Sequence, residues 1–471
     1  MTHAHGRRRY ALAGTGHRAE MYFAALLGTH RDAGVPIALC DTNRTRMAYY
    51  QRLHADAYGG TGEPPAYGTD DFVPMLERER PDAVIVTTVD ATHARYVTAA
   101  LDRGCDVICE KPLTTDADGC HRIAESALRA GGELVVTFNY RYSPRNSEVK
   151  RLLVDGAIGR VTSVVFEWVL DTVHGADYFR RWHRRKENSG GLLVHKASHH
   201  FDLVGWWLDD VPETVFALGA LRFYGPDGPI GRARREHGAP PAAGDPFALD
   251  LDASPRLSAL YGRAREEDGY IRDGDVFAPD IDIEDNLAVL VRYERGTALT
   301  YSLNAHAPWE GYRVAFNGTE GRLELNVCER SAALPESAGD VLGRPALDPS
   351  VTPDRAGDAD GFRRPGAELI LQRHWSRAER IAIPEGGGAH GGGDDRLLDD
   401  VFRGAAPDPL HRRAGFQDGI RSVLVGAAAN RSMAERRAVA IGEFGLARDA
   451  YAPGTAPPDG AAPADATVRE R

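Results

Sequence analysis

The chain has 471 residues, 42% of them hydrophobic, so it can bury a large core and is expected to divide into two or more domains. Its formal net charge of −11 argues against a nucleic-acid-binding surface, which needs a basic face to neutralise phosphates. No apolar stretch approaches membrane-spanning length, and five cysteines without paired metal-ligand spacing are typical of a reducing compartment, so we predict a cytoplasmic protein without a membrane partner.

The first third of the chain alternates short apolar runs with longer helical patterns. The predicted strands are residues 10–13, 37–40, 83–87, 107–109 and 134–138. The predicted helices are residues 18–28, 43–54, 70–79, 93–103 and 115–130. This alternation predicts a parallel β-sheet with right-handed helical crossovers. We therefore expect an α/β domain over residues 9–139, after a disordered polar arm at residues 1–8.

A glycine-containing turn joins the first predicted strand to the first predicted helix. The turn consists of Gly14, Thr15, Gly16 and His17. Gly14 permits the tight turn, and Gly16 lets the backbone approach a pyrophosphate at the helix N-terminus. The sequence therefore predicts a dinucleotide-binding site over these four residues.

Asp41 ends the next strand, where a carboxylate can accept hydrogen bonds from the hydroxyls of an adenosine ribose. Such a carboxylate also repels a 2′-phosphate, so we predict NAD as the cofactor. Arg44 lies close by and keeps NADP possible. Asp41 could instead serve only as a cap of the following helix.

Polar residues also follow the strand at residues 83–87, at the edge where ligands bind in open α/β sheets. These residues are Thr88, Asp90 and His93, and we predict that they bind the cofactor. A purely structural interpretation is also open, with Thr92 as a helix cap and His93 as a core histidine.

Lysine is scarce in this chain, because only four of its 57 basic residues are lysine. Arginine cannot lose its proton near neutral pH, whereas a partly buried lysine can. Lys111 lies between Glu110 and Pro112 at the end of an apolar run, and Lys196 lies in the densest histidine cluster of the chain. These positions make Lys111 and Lys196 candidates for a chemical role.

After residue 139 the pattern changes to long runs with partial apolar and polar alternation. The strand-like runs are residues 161–170, 287–301, 313–316 and 322–327, with a turn at 317–321 and late helices at 395–404 and 415–435. They predict a second α/β domain over residues 140–450, with a mostly antiparallel sheet, insertions near 225–280 and 331–390, and a disordered tail at 452–471. Because a broad half-covered sheet face is costly to expose, we also predict a homodimer or homotetramer.

Several of these motifs together resemble the glucose–fructose oxidoreductase/inositol dehydrogenase (Gfo/Idh/MocA) family. They are Gly14 and Gly16, Asp41, Glu110-Lys111-Pro112, and the later Gly190, Gly191, His199 and Asp202. The resemblance implies an N-terminal Rossmann domain followed by an α/β domain with a large open sheet. It also implies oxidation or reduction of a ring carbon of a sugar, inositol or related polyol with NAD(P).

The resemblance also implies roles for individual residues. Lys111 would lie between nicotinamide and substrate, and Glu110 and Asn139 would help to order that corner. The second signature of the family places Asp, Gly and His after the paired glycines. Here the Asp position holds His195 and the Gly position holds Ala197, whereas the His position is kept as His199. The chain therefore lacks the signature carboxylate.

The chemistry that we expect is alcohol oxidation, which needs a base and a group that stabilises the developing oxyanion. Our hypothesis is that His199 takes the hydroxyl proton, Lys111 supplies positive charge, and His195 holds neighbouring hydroxyls. The predicted substrate-binding residues are Arg141, Tyr178, Arg181, Trp182, Lys196, His200 and Asp202. For Tyr178, Arg181 and Trp182 the alternative is a packed amphipathic segment.

Three other functions remain open from the sequence. The first is a redox-neutral glycoside hydrolase or lyase that oxidises its substrate transiently with NAD. The second is a metal-assisted enzyme using His195, His199 and His200, although a zinc-protease helix would need Glu where Lys196 stands. The third is a non-catalytic NAD-dependent sensor, which would leave Lys111 without a purpose.

Overall fold

The computed structural model describes residues 7–452 except 61, 240–244, 334–361, 385–391 and 405–406. The predicted arm and tail therefore lie almost entirely outside the described residues, as do much of the insertion near 331–390 and a small part of the one near 225–280. Residues 366–373 and 379–381, predicted to belong to an insertion, instead form two strands of the second sheet.

The first sheet is parallel, as predicted from the alternation of apolar runs and helices, and it has six described strands where five were predicted. Its strands are β1 (Arg8–Ala13), β2 (Gly34–Cys40), β3 (Ala66–Tyr67), β4 (Ala83–Val86), β5 (Asp106–Cys109) and β6 (Leu134–Val136). They lie in the order β3-β2-β1-β4-β5-β6. The helices between them are α1 (Ala19–Leu27), α2 (Arg44–Tyr58), α3 (Phe72–Glu79), α4 (His93–Leu101) and α5 (Ala117–Arg129). The carboxyl ends of its strands lie at one edge, where ligands bind in such sheets.

The second sheet has nine described strands, all antiparallel neighbours except β7 and β10, which pair in parallel. The strands are β7 (Val161–Asp171), β8 (Pro212–Ala220), β9 (Asn286–Tyr293), β10 (Ala298–Ala307), β11 (Glu310–Gly318), β12 (Gly321–Arg330), β13 (Gly366–Arg373), β14 (Glu379–Ile381) and β15 (Val439–Ala440). Their order is β14-β13-β12-β11-β7-β10-β9-β8-β15. The mostly antiparallel second sheet is therefore confirmed.

One strand prediction in this sheet is wrong. The run at residues 287–301 is not one strand but two, β9 and β10, which form a hairpin. The amide of Tyr293 donates to the carbonyl of Thr297, and Gly296 has φ +89°, a left-handed conformation that closes the turn. The apolar pattern continues through the turn, which is why the sequence gives no break there.

Helices cover one face of the second sheet and leave the other face more open. The remaining helices are α6 (Pro144–Val154), α7 (Thr172–Arg180), α8 (Lys186–Ser189), α9 (Leu192–His195), α10 (Ser198–Leu208), α11 (Pro229–His237), α12 (Pro255–Leu257), α13 (Arg265–Asp268), α14 (Gly393–Arg403) and α15 (Phe416–Glu435). Helix α15 packs against β8, α9 and α10. Along β9, buried and exposed residues alternate strictly, so that Leu287, Val289, Val291 and Tyr293 face the core.

The five cysteines are free thiols, four of them buried. Within the part of the chain that the structure describes, none of the helices combines the length and the apolar character needed to cross a membrane. The cytoplasmic location remains a prediction.

Candidate active site

A cavity of about 560 Å³ lies at the carboxyl edge of the first sheet, between that edge and helices α7 to α10. Its volume falls within the range of roughly 300–1,000 Å³ that is usual for small-molecule sites. The predicted residues that line it are Gly14, Gly16, His17, Asp41, Thr88, Asp90, His93, Glu110, Lys111, Asn139, Tyr178, Arg181, Trp182, His195, Lys196 and His199. One cavity therefore joins the glycine turn to Lys111 and the histidine cluster.

The glycine turn leaves room for a ligand on one side only. Gly14 has φ +90°, and a Cβ atom added there would lie 2.7 Å from the backbone of Thr87, so no larger residue fits. A Cβ atom added at Gly16 would contact only the hydroxyl of Tyr261, at 3.5 Å. Thr15, predicted to bind cofactor, does not line the cavity, because its side chain turns toward Asp41.

The carboxylate of Asp41 supports the glycine turn and also lines the cavity. It accepts hydrogen bonds from the amide and hydroxyl of Thr15, at 2.6 and 2.9 Å, and from the amide of Asn43 at 2.9 Å. The cap of α2 is Asn43, whose side chain accepts from the amide of Arg46 at 3.0 Å. The alternative that Asp41 only caps this helix is therefore wrong.

Glu110 is buried beside Lys111 at the end of β5. Its carboxylate accepts hydrogen bonds from Arg18 Nε and from the Tyr22 hydroxyl, both at 2.6 Å. Burial acts to raise the pKa of Glu110, but the positive charges of Arg18 and Lys111 outweigh it and lower this pKa below its usual value. Glu110 is therefore an anion beside the partly exposed Lys111.

His195 forms a hydrogen-bonded pair with Asp90, which was predicted to bind the cofactor. The Nδ1 atom of His195 lies 2.5 Å from Oδ2 of Asp90, and both side chains are buried. Burial raises the pKa of Asp90 well above its usual range and lowers that of His195 well below its own; Lys111 partly opposes the first shift and reinforces the second. Both shifts favour the neutral forms, which are the carboxylic acid of Asp90 and the uncharged imidazole of His195.

Tyr140 connects the other two cavity residues of the histidine cluster. The ring of His199 stacks on the ring of Tyr140 with centroids 4.3 Å apart. The ammonium of Lys196 donates to the Tyr140 hydroxyl at 3.1 Å and lies 4.9 Å from the centre of the Trp168 ring. Lys196 is thus held by an aromatic wall at the edge of the cavity.

Helix α7 and the turn after it form the opposite wall. Nε2 of His174 lies 3.1 Å from the hydroxyl oxygen of Tyr178, and Nδ1 of His174 lies 2.6 Å from Oε1 of Glu310. The carboxylate of Asp177 accepts from Arg181 at 2.9 Å and from Arg272 at 2.7 Å. Neither His174 nor Asp177 was predicted from the sequence, although each stands one helical turn before a predicted residue.

His183 also lines the cavity, although no sequence pattern predicted it. It stacks on Trp182 with ring centroids 3.7 Å apart and lies 4.2 Å from the ring of His195. Burial lowers the pKa of His183 well below its usual range, so this imidazole is neutral.

Three further cavity residues come from the predicted insertion near 225–280. They are Tyr261, Asp268 and Tyr270. No motif surrounds them in the sequence, and their place at the cofactor edge depends on long-range contacts alone.

Arg141, His200 and Asp202 are not part of the cavity lining, and their predicted role in substrate binding is corrected. Arg141 and Asp202 form a buried two-bond ion pair at 2.8 and 2.5 Å. His200 stacks on Trp168 and makes a 2.7 Å hydrogen bond with the Tyr301 hydroxyl. These contacts hold all three side chains in the core rather than at the cavity.

The structure does not support the alternative of a metal site built from His195, His199 and His200. His195 and His199 line the cavity, whereas His200 packs against Trp168 and Tyr301 and does not line it. Among the described residues, no group of three or more His, Cys, Asp or Glu side chains is arranged to hold a metal ion.

Comparison with protein families gives two matches that together cover most of the chain. Residues 8–138 match the model described as "Oxidoreductase family, NAD-binding Rossmann fold" of the Gfo/Idh/MocA group. Residues 150–441 match the C-terminal alpha/beta domain of the same oxidoreductase family.

Individual proteins give the same result. The chain is 37% identical over 401 residues to "Putative oxidoreductase YteT" of Bacillus subtilis, covering 81% of this chain and 86% of that protein. It is 28% identical over 156 residues to an inositol 2-dehydrogenase of Rubrobacter xylanophilus, covering 32% of this chain and 41% of that protein. The solved structure of levoglucosan dehydrogenase in complex with NADH and L-sorbose has a TM-score of 0.60 at 17% identity, over 93% of this chain and 99% of that one, which is a likeness of fold.

Proposed function

The chain belongs to the Gfo/Idh/MocA oxidoreductase family, and from that premise we propose that it is an NAD(P)-dependent dehydrogenase of a sugar, glycoside or polyol. The reaction interconverts a ring hydroxyl and a ketone. The observation that carries the proposal is the single cavity lined by the glycine turn, Asp41, Lys111, His195 and His199. A sensor or scaffold needs only to bind the nucleotide, so it would not require a lysine and two histidines that face the same cavity.

The residues at the glycine turn fit a nicotinamide dinucleotide. Gly16 and His17 offer backbone at the N-terminus of α1 for a pyrophosphate, and Asp41 offers a carboxylate for ribose hydroxyls. Glu110, Lys111 and Asn139 line the part of the cavity toward the histidine cluster. When bound, the nicotinamide supplies the redox chemistry by accepting or donating a hydride.

Two cavity residues act on the reacting hydroxyl, one on its proton and the other on its oxygen. His199 takes it as the general base, a role that contributes about 10²- to 10⁴-fold in typical enzymes. Lys111 stabilises the negative charge that develops on the oxygen. The neighbouring carboxylate of Glu110 and the positive charge of Lys111 attract each other, and this attraction contributes to the lowered pKa of Glu110.

The pair of His195 and Asp90 stands in for the carboxylate missing from the signature. Asp90 engages Nδ1 of His195, and this fixes the tautomer and the orientation of the ring. The other ring nitrogen, Nε2, is then the atom that meets a substrate hydroxyl. Asp90 is accordingly a positioning residue that acts through His195.

The substrate side of the cavity has the composition of a sugar site. Trp182 and Tyr178 provide flat apolar surfaces, and Arg181 and Lys196 provide hydrogen-bond donors next to them. We therefore assign Tyr178, Arg181, Trp182 and Lys196 to substrate binding.

The experiment is a screen of sugars, polyols and glycosides with NAD and with NADP, followed at the nicotinamide absorbance and by chromatography of the products. We expect stoichiometric reduced nicotinamide and a keto or lactone product from at least one compound. If no compound turns over and neither nicotinamide nucleotide binds, the proposal is rejected.

A second function has one structural observation in its favour, which is that the cavity holds two separate proton-handling groups, His199 and the His195–Asp90 pair. A redox-neutral glycosidase oxidises a ring hydroxyl to a ketone, removes the neighbouring C–H proton, and expels the aglycone, which leaves as its alcohol. Water then adds and the ketone is reduced back, so the net change is hydrolysis. In the same screen, glycoside cleavage without accumulation of reduced nicotinamide would identify this reaction.

The open face of the second sheet supports the prediction of a homodimer or homotetramer. Val165, Thr300, Leu290 and Phe216 form a row across β7, β10, β9 and β8. Val165 is 47% and Leu290 53% exposed, and burial of such a row against a second copy would be favourable. Light scattering after size-exclusion chromatography measures the mass, and a monomer at micromolar concentration would refute the prediction.

A further inference from the structure

A segment of the second domain packs on the first domain beside the proposed cofactor site. We call residues 255–272 the 255–272 segment. Its Leu257, Leu260 and Tyr261 are buried in the same apolar cluster as Phe23 and Tyr50 of helices α1 and α2. This cluster fixes the segment along the edge that carries the glycine turn and Asp41.

The segment contacts the phosphate-binding turn directly. The amide of His17 donates a hydrogen bond of 2.9 Å to the hydroxyl of Tyr261. In a dinucleotide site the amides at this turn face the pyrophosphate. The Tyr261 hydroxyl therefore lies beside the place of the coenzyme phosphates, where it can donate a hydrogen bond to them.

The segment also occupies the N-terminus of α2, which begins at Arg44, three residues after Asp41. The carboxylate of Glu267 accepts hydrogen bonds from the amides of Arg44 and Thr45, at 2.7 and 3.1 Å. Amides at a helix N-terminus are a natural binding site for an anion such as phosphate. In this chain a protein carboxylate already fills that place.

Arg46 of helix α2 lines the cavity at this edge, and it is already paired with two acids. It donates to Asp41 at 3.0 Å and to Asp268 at 2.7 Å. Recognition of the 2′-phosphate of NADP commonly relies on an arginine near the ribose. Here Asp268 of the 255–272 segment, which also lines the cavity, accepts a hydrogen bond from that guanidinium.

The charges at this end of the cavity therefore oppose a phosphate monoester. Asp41 and Asp268 pair with Arg46, and Glu267 lies beside them at the N-terminus of α2, whereas the 2′-phosphate of NADP brings a charge of about −1.5 to −2. A ribose hydroxyl, in contrast, can donate to a carboxylate.

We propose that the 255–272 segment closes the adenosine end of the coenzyme site and that its Glu267 and Asp268 exclude the 2′-phosphate, which makes the enzyme specific for NAD. This inference rests on the proposed function and adds the choice of coenzyme. Asp41, the residue that sequence reasoning associates with this choice, is only one of three acids, and the other two lie more than 220 residues away along the chain.

The test uses the double variant E267Q/D268N and the single variant D268N, in which amides of the same shape replace the carboxylates. Binding of NADH and NADPH is followed by nicotinamide fluorescence without any sugar present. We expect the wild type to prefer NADH, and the double variant to lose at least about tenfold of that preference through tighter NADPH binding. D268N removes one of the two acidic partners of Arg46 while Glu267 still holds the N-terminus of α2, so it should show a smaller change in the same direction.

Two controls make the result specific. E266Q removes an exposed neighbouring charge of the same segment and should keep the wild-type preference. Y261F should weaken the binding of both nucleotides by the same factor, because Tyr261 faces the pyrophosphate and not the ribose. Thermal unfolding of each variant shows whether the segment remains folded.

An unchanged ratio of NADPH to NADH affinity in both folded variants would overturn this inference, and so would a wild type that prefers NADPH. In those cases nicotinamide binding itself would still support the proposed function. If the wild type binds neither nucleotide, the proposed function is rejected together with this inference.

Discussion

The side chains of residues 195–202 lie in two regions of different character, which are the cavity and the protein core. His195, Lys196 and His199 face the cavity, whereas His200 and Asp202 face the core. On the core side, Asp202 has a two-bond partner in Arg141. On the cavity side, the polar groups are held in place by neighbours but still border open space.

This difference shows how the polar residues of one cluster divide into those that stabilise the fold and those that can act on a ligand. A buried charge with a complete set of partners contributes to the folded state, and removing one partner is costly. A neutral imidazole that borders a cavity beside a lysine is a group ready to exchange protons with a ligand. Both kinds occur here within eight residues, so proximity in sequence to a signature motif does not indicate function.

Lys111→Met should produce the largest effect, and we expect it to lower turnover without lowering stability. Without its positive charge the developing oxyanion is not stabilised, so we expect kcat to fall by about 10²- to 10⁴-fold with little change in Tm. Steady-state kinetics and thermal unfolding measure the two quantities. Lys186→Met is the matched control, since Lys186 pairs with Glu284 outside the cavity and should keep its turnover. Near-normal turnover of Lys111→Met would remove the lysine from the mechanism.

Arg141→Met should have its effect on the core side, as a loss of stability. It leaves Asp202 buried without its main partner, which typically costs about 3–5 kcal/mol in the free energy of unfolding. Chemical denaturation measures the loss. The control Arg151→Met removes an exposed ion pair with Glu148 and should cost less than about 1 kcal/mol. A stable Arg141→Met protein without turnover would place Arg141 in the active site after all.

Glu310→Gln tests the network behind the cavity wall through pH. Burial acts to raise the pKa of Glu310, but the charges of His174 and Arg330 outweigh it and lower this pKa to about 2, from 4.5 for a free side chain. A carboxylate with a depressed pKa stabilises the fold above about pH 4.5, and this contribution disappears as the pH falls toward 2. Between pH 5.5 and 2 the wild type should therefore lose about 3 kcal/mol more stability than Glu310→Gln.

Denaturation curves at a series of pH values measure this difference. The exposed substitution Glu125→Gln should follow the wild type at every pH. Parallel curves for the wild type and Glu310→Gln would contradict the assigned role of Glu310.

Asp90→Asn should have the smallest effect, because Asp90 acts through His195. We expect kcat to fall by about 10- to 100-fold with an unchanged Tm, since the amide keeps the contact but cannot exchange a proton. A double-mutant cycle with His195→Asn is the decisive measurement. If Asp90 works only through His195, adding Asp90→Asn to His195→Asn should change kcat little. Independent, multiplying losses would show that Asp90 has another role, such as cofactor binding.

Much of the fold follows from local sequence patterns. The strands and helices up to residue 138 were predicted to within a few residues, because buried strands and amphipathic helices leave different periodicities. The short strand β3 and the later strands β8, β13, β14 and β15 were missed. The hairpin between β9 and β10 was read as one strand, because its apolar alternation continues across the turn.

The candidate site could be predicted only in part. The glycine turn and Lys111 carry local motifs, and the structure brings them to one cavity. His174 and Asp177 have a weak local indication, since they lie one helical turn from Tyr178 and Arg181. Tyr261 and Asp268 have none, because an insertion shows no periodicity that reveals where it folds back.

The sequence by itself determined the two-sheet architecture, the dinucleotide turn, the family and the absence of the signature carboxylate at position 195. Only the tertiary structure decided which groups share a cavity, which acid supports His195, and which acids surround Arg46. The physical reason is distance along the chain: Asp90 and His195 are 105 residues apart, and Arg46 and Asp268 are 222 apart. Local periodicity fixes the elements and the direction of each side chain, whereas partners so far apart meet only when the two domains pack together.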